Sequence, residues 1–241
     1  MTAGYYQLST GRVAALDNNG EGDCQGYYQF PPLEQALTEP NGLIAIGGDL
    51  TAARLLSAYK QGIFPWFNPG EPIMWWSPNP RMVLFPDELK ISKSLAKTIK
   101  SNAFETRMDT AFQAVISACS QTPRNGQGGA QGGTWISPDM IAAYCELHRL
   151  GYAICAESWL EGKLVGGCYG IKIGRMFYGE SMFHHVTDAS KIAFVHLVNH
   201  LKNQGVGLID CQMKTPLLAS FGGREIAREE FMQNLTKLVE F

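Results

Sequence analysis

No apolar run in this chain approaches the roughly 20 residues that cross a bilayer. Its opening stretch, MTAGYYQLSTGR, lacks the basic start and apolar core of a signal peptide. Neither membrane insertion nor export is expected, and the chain reads as cytoplasmic. None of the six cysteines (Cys24, Cys119, Cys145, Cys155, Cys168 and Cys211) belongs to a CxxC pair. They sit mostly inside apolar runs, which suits small buried hydrophobes in a reducing compartment better than disulfides. An excess of one charge is missing too. Lys and Arg number 20 against 22 Asp and Glu, for a net charge of −2. No global field advertises a nucleic acid, although a local cluster of cations still attracts phosphate.

Several chemical signatures are also absent. The Gly-rich segment Asn125 to Gly133 has no Gly-Lys-Ser/Thr and follows no strong strand, which excludes a P-loop and a dinucleotide turn. There is no Gly-x-Ser-x-Gly elbow, and Ser181 beside Glu180 has no positioned histidine, so a serine triad is not expected. His196 and His200 are four apart but lack the Glu of HExxH, and no cysteine stands at ligand spacing. No metal site is read.

What is present describes an ordered globular protein: 241 residues, 45% apolar and 17% charged, long enough for one large domain or two modest ones. Residues 1 to 30 are polar and Gly-rich, and read as loop with at most one edge strand. Pro31-Pro32 opens a short helical piece over Leu33 to Leu37. Leu43 to Ile46 is brief and apolar, and a helix follows with cap candidates Asp49 and Thr51, ending at Gly62. Two aromatic stretches come next, Ile63 to Phe67 and Ile73 to Pro78. Broken by Pro and Gly, they predict poor strands, and form either a satellite core or an aromatic binding surface. After a strand at Arg81 to Phe85, Lys90, Lys93, Lys97 and Lys100 recur at helical spacing. At about 100° per residue they share roughly an 80° arc, either a solvated face or a phosphate-tracking stripe.

Helices are predicted over Asp109 to Gln121 and from Ser137 to Leu150. Gly151 to Phe183 then reads as three strands with turns at Glu161-Gly162-Lys163 and Lys172-Ile173-Gly174, an antiparallel meander. It ends at Glu180, a carboxylate among core-like residues. A helix over Asp188 to Gln204 leads to a strand at Val206 to Gln212, and a final helix covers Arg228 to Leu238. This half is α+β, with a mixed sheet flanked by helices. If the helix joins neighbouring parallel strands, Glu180 and Gln212 face one cleft at the strand ends.

The meander, helix and strand resemble the sheet core of the acetyltransferase-like superfamily. The ordinary pyrophosphate turn, Arg/Gln-x-x-Gly-x-Gly, is missing, because Phe183 to Lys191 contains no glycine. A coenzyme A donor is therefore not expected, nor any other cofactor. GGDL (47–50), AYKQGIFPWF (58–67), WWSPNPR (75–81), GTWI (133–136), LVGGCYG (164–170), GESMF (179–183), ASK (189–191) and LIDCQ (208–212) occur together in this order. From about residue 30 onward the chain thereby resembles the leucyl/phenylalanyl-tRNA–protein transferases.

That resemblance implies a small N-terminal domain, here 1–65, and an acetyltransferase-like (GNAT-like) catalytic domain, 66–241. It implies transfer of Leu or Phe, and Met less well, from aminoacyl-tRNA to the α-amine of proteins with N-terminal Arg or Lys. Such proteins are thereby marked for degradation by the N-degron pathway. Trp66 and Trp135 match the pair that sandwiches the terminal adenosine. Cys168, Phe177 and Phe194 match the aminoacyl pocket, with Ser181 also on the substrate side. Lys90, Lys93, Lys97 and Lys100 match a tRNA-binding region, and Glu180, Asp210 and Gln212 the reaction centre.

The attacking α-amine has a pKa of about 7.7–8, so a useful fraction is neutral and alignment matters more than a strong base. Gln212 is expected to accept a hydrogen bond from it, with Asp210 assisting proton departure. Glu180 is expected to anchor the ammonium of acceptor or donor. The chain departs from the family pattern in four places. Ile154-Cys155 replaces His-Ser, Leu217 replaces a His, Cys168 stands for the usual Met, and Phe194 for a smaller aliphatic. A shorter and a longer side chain on one pocket predict a retained apolar site with altered Leu:Phe preference. The alternative is a divergent paralogue that binds tRNA or N-degron proteins without efficient transfer.

Overall fold

The computed structural model describes residues 4–17, 28–122 and 134–239. Two sheets organise the chain. The first begins with β1 (Gly4–Leu8) and β2 (Gly11–Leu16), an antiparallel hairpin where loop with at most one edge strand was expected. β1 faces outward, with Tyr5 and Tyr6 exposed, and β2 buries the adjacent Val13 and Ala14, so neither carries the apolar alternation that marks a strand. A single 3₁₀ turn (Leu33–Gln35) follows, and then β3 (Leu43–Gly47), which pairs parallel to β2.

Helix α1 (Ala52–Lys60) starts where Thr51 caps it, its side chain accepting from the Arg54 amide, and Gly62 in the left-handed region turns the chain out of it. The aromatic stretches become the short strands β4 (Phe64–Pro65) and β5 (Met74–Trp76), which complete the sheet in the order β1-β2-β3-β5-β4. The aromatics divide between two environments: Trp75 is wholly buried core, while Trp66 stays half-buried. This sheet ends with β5 at Trp76 and the second begins at Arg81.

The second sheet has the order β12-β6-β11-β10-β9-β8-β7. Its members are β6 (Arg81–Leu84), β7 (Glu105–Met108), β8 (Ala153–Leu160), β9 (Lys163–Ile173), β10 (Met176–His184), β11 (Leu208–Gln212) and β12 (Arg224–Ile226). The meander β8-β9-β10 is the predicted one, its first turn carried by Glu161 and Gly162 in the left-handed region and its second one residue later than expected, at Gly174-Arg175. Helices α3 (Phe112–Gln121) and α4 (Pro138–Arg149) cover one face, packing Val115, Cys119 and Tyr144 with Tyr169 and Tyr178. Helix α5 (Ala189–Asn203) covers the other, with Phe194 and Leu197 against Phe177 and Ile209. Its close approach requires Gly166, where a Cβ would lie 2.6 Å from the Ala189 backbone. Two more helices, α6 (Pro216–Ser220) and α7 (Arg228–Leu238), close the chain. The expected α+β architecture, a mixed sheet flanked by helices, is the one observed.

Helix α2 (Lys93–Lys100) holds three of the four striped lysines. Lys90 does not belong to it, because Ser92 caps the helix and the Lys90 amide donates instead to the Phe221 carbonyl. The Gly-rich segment from Asn125 to Gly133 lies outside the described residues, as does Cys24. The five described cysteines are free thiols. Among the described residues no helix is long and apolar enough to cross a membrane.

Candidate active site

The site is made by two strands that pair and then part. β10 and β11 run parallel only from Met176↔Leu208 to Tyr178↔Asp210. Beyond that point each strand carries a bulge. The register of β10 against β9 shifts between Gly179 and Ser181, which leaves Glu180 out of the ladder. The register of β11 against β6 shifts between Asp210 and Gln212, and Gln212 adopts φ +61°. Bulges re-aim side chains, and a glutamine held in the left-handed region marks a conformation enforced by its surroundings. A cavity of about 330 Å³ opens between the separated strand ends.

Trp66, Trp135, Cys168, Phe177, Glu180, Ser181, Phe194 and Gln212 all line this cavity. So do Met182, Leu197, Ile209 and Leu218, apolar positions that sequence reasoning did not single out as site residues. Trp66 follows β4, where its carbonyl accepts from the Trp76 indole at 2.6 Å and its ring meets that of Trp76 edge-on at 5.7 Å. Trp135 is supplied by the segment that enters α4. Phe194 packs on Phe221 at 4.9 Å, so its ring cannot swing freely. Burial pushes the Cys168 and Cys211 thiols up, which keeps both neutral apolar lining and not nucleophiles.

Glu180 is the carboxyl group that lines this cavity. Its Oε1 lies 2.7 Å from the Tyr59 hydroxyl and 3.3 Å from Gln212 Nε2, and its Oε2 lies 3.1 Å from the Tyr144 hydroxyl. Burial raises its carboxyl to about 7, against hydrogen bonds from the two tyrosines and Gln212. Both tyrosine phenols are pushed well above their ordinary range, chiefly by burial. Neither tyrosine was legible as a site residue, since each occupies an inward position of an amphipathic helix. The available signal was that a buried Tyr hydroxyl needs a partner.

Asp210 was expected beside Glu180 at the reaction centre, but it lies beneath the cavity and does not line it. Arg81 holds it from β6, Nε to Oδ1 at 2.8 Å and Nη2 to Oδ2 at 2.7 Å, with both side chains wholly buried. Oδ1 also accepts from the Gln212 backbone amide at 2.9 Å. Arg81 in turn donates to the Gly62 carbonyl and lies between the rings of Phe64 and Phe231. The lysines are apart from the cavity: Lys90, Lys93, Lys97 and Lys100 are all exposed. Leu217 stands at the cavity wall, while Ile154 does not line it.

Comparison with known proteins gives this geometry its class. A protein of Chromobacterium violaceum is 60% identical over 87% of this chain and 88% of its own length, and bears the name leucyl/phenylalanyl-tRNA–protein transferase. Relatives of that name from Nitrosomonas europaea and Nitrosomonas eutropha are 62% and 61% identical over 87% and 88% of this chain, and over 86% and 88% of theirs. Among solved structures, a GCN5-related N-acetyltransferase from Kribbella flavida is similar at a TM-score of 0.39 and 9% identity, over 71% of this chain and 60% of that one. The protein is an aminoacyltransferase. Residues 83–236 match the leucyl/phenylalanyl-tRNA protein transferase family and residues 48–79 its N-terminal domain, and the chain belongs to that family.

Proposed function

We propose that this chain transfers Leu or Phe, and Met less well, from aminoacyl-tRNA to the α-amine of proteins with N-terminal Arg or Lys. The products enter the N-degron pathway of the cytoplasm. One observation carries the reading: a single cavity joins two tryptophans, an apolar floor, a buried carboxylate and a strained glutamine. Trp66 and Trp135 stack on the terminal adenosine, at about 1–3 kcal/mol per base. Cys168, Phe177 and Phe194 receive the apolar side chain, with Ser181 at the edge of the same wall. Glu180 meets the donor's α-ammonium. Lys93, Lys97 and Lys100, with Lys90 nearby, track tRNA phosphates.

The chemistry then needs little more than alignment. Gln212 gives its amide nitrogen to Glu180 and keeps its amide oxygen for the attacking amine. As the C–N bond forms and the ester C–O bond breaks, the amine's proton passes to the departing ribose oxygen. Asp210 has both oxygens engaged by Arg81 and serves to fix the Gln212 backbone, not to take that proton. The test is radiolabelled phenylalanyl-tRNA incubated with a protein that begins with Arg. Covalent label on the acceptor is expected. Retained tRNA without transfer would establish the binding paralogue instead.

A further inference from the structure

Three oxygen-to-oxygen contacts close a ring beneath the cavity. The Tyr59 hydroxyl lies 2.7 Å from Glu180 Oε1 and 2.5 Å from the Tyr144 hydroxyl, which lies 3.1 Å from Oε2. A contact of this kind is favourable only with a proton between its oxygens. Two phenols supply two protons. With an ionised carboxylate, one of the three contacts is left as facing lone pairs. If both tyrosines donate to Glu180, the empty contact is the shortest, between the phenols themselves. Water cannot relieve it, since both tyrosines are wholly buried.

A third proton on the carboxyl removes the conflict. Glu180 Oε2–H then donates to Tyr144, Tyr144 to Tyr59, and Tyr59 to Oε1. As a carbonyl oxygen, Oε1 still accepts from Gln212 Nε2 at 3.3 Å. Every contact is filled and every donor is used once. We propose that Tyr59, Tyr144 and Glu180 hold three protons as a closed ring in the empty site. Glu180 is there a neutral carboxylic acid until the donor's ammonium ionises it. Tyr59 and Tyr144 are positioning residues that set its state.

Burial and the nearby Asp210 act in the same direction, against the hydrogen bond from Gln212. Facing the ring are Tyr169 from β9 beside Tyr144, Tyr178 from β10 against Tyr59, and Asp210 and Gln212 from β11 beside Glu180. Tyr178 donates to the Tyr59 carbonyl at 3.0 Å, which fixes the backbone of α1 against β10. Its phenol, like those of Tyr59 and Tyr144, is pushed up by burial and stays neutral. Asp210 opposes a second negative charge nearby, and its own charge is spent on Arg81. Every hydrogen-bond partner of Glu180 is a neutral group. Burial accordingly raises its carboxyl to about 7.

Ionisation on donor binding rests on the reading that Glu180 receives the donor's α-ammonium; the ring in the empty site does not. At about pH 6 that amine arrives protonated. The Glu180 O–H bond breaks, its proton leaves to solvent, and a carboxylate–ammonium pair remains. No other covalent bond changes.

Two measurements test this. Carbon-13 NMR of the empty protein labelled at the glutamate carboxyl should show one acid resonance at about pH 6, absent from Glu180→Gln. Tyr144→Phe takes a donor from the ionised carboxylate, but it also takes the acid's acceptor and removes the unfilled contact between the phenols, so the midpoint should fall. An ionised Glu180 at that pH, or a midpoint unmoved or raised in Tyr144→Phe, overturns the ring. Calorimetry with phenylalanyl-amidoadenosine in buffers of differing ionisation enthalpy should then register about one proton released by the wild type and none by Glu180→Gln. Binding without release overturns the ionisation step. An analogue that fails to bind while the acid resonance persists would defeat the donor-pocket reading and leave the ring standing.

Discussion

Arg81 grips Asp210 through two hydrogen bonds in a place that no water reaches, and Asp210 passes that constraint to the Gln212 amide. Removing one partner of a buried pair strands the other charge, at about 3–5 kcal/mol. Arg81→Ala should therefore lower stability by that order in urea unfolding, and lower transfer with it. The paired change Arg81→Met with Asp210→Leu leaves no stranded charge and should recover most of the stability. It should not recover transfer, because the Gln212 amide has lost its acceptor. A paired variant with full turnover would reduce Asp210 to a structural role.

Glu180 predicts a pH dependence of stability with a definite sign. Unfolded, its carboxyl titrates near 4.5; folded, burial raises it to about 7. Between those values the native state holds a proton that the unfolded chain has released. Stability from this group is thus fully present below about 4.5 and is lost as pH rises through about 7, on the order of 3 kcal/mol in all. Glu180→Gln lacks the titration, so relative to wild type it should gain stability between pH values of about 5 and 8 by up to that order. Urea midpoints for both proteins at the two pH values check this. Parallel curves would place the carboxyl near its ordinary value.

How much of this was legible depended on whether a residue's role left a local signature. The meander was, because Glu161-Gly162 punctuates strong β-formers and its geometry is decided over a few residues. The cleft was half legible: Glu180 and Gln212 each look misplaced at the end of an apolar strand. What the sequence hid is what only tertiary packing decides. Arg81 opens an ordinary strand, and its partner lies across the sheet in β11. Tyr59 and Tyr144 are spaced as helix core, and only the meeting of α1 and α4 at Glu180 makes them polar groups of the site. Lys90 shows the converse error: its spacing is helical, but Ser92 starts the helix after it.

Cys168 and Phe194, the short and the long side chain of the expected aminoacyl pocket, line the same cavity. Cys168→Met fills the floor and should penalise the larger donor side chain. One methylene in an apolar pocket changes discrimination by about 10–200-fold. The ratio of kcat/KM for phenylalanyl- to leucyl-tRNA should therefore fall by about tenfold. Adding Phe194→Leu returns room from the opposite wall, and the ratio should recover, a coupling expected of neighbours on one cavity. An unchanged ratio in both variants would mean that discrimination is set elsewhere.

Lys93, Lys97 and Lys100 project from α2 within about a 60° arc. Lys191, Lys202 and Lys214 are tied to Asp188, Asp87 and Glu225; among the described residues the three on α2 form no ion pair. Free ammonium groups on one face suit phosphate neutralisation, whose mark is the salt dependence of binding. Each lost contact to a phosphate flattens the plot of log K against log salt by about 0.7–0.9. The triple Ala variant should bind aminoacyl-tRNA more weakly at low salt, with a slope shallower by about 2. It should bind phenylalanyl-amidoadenosine as the wild type does, because that ligand has no stem to track. Lys90→Ala, off the helix, should change the slope on its own without altering the helix. If the triple variant keeps its slope, α2 presents a solvated face and the phosphates lie elsewhere.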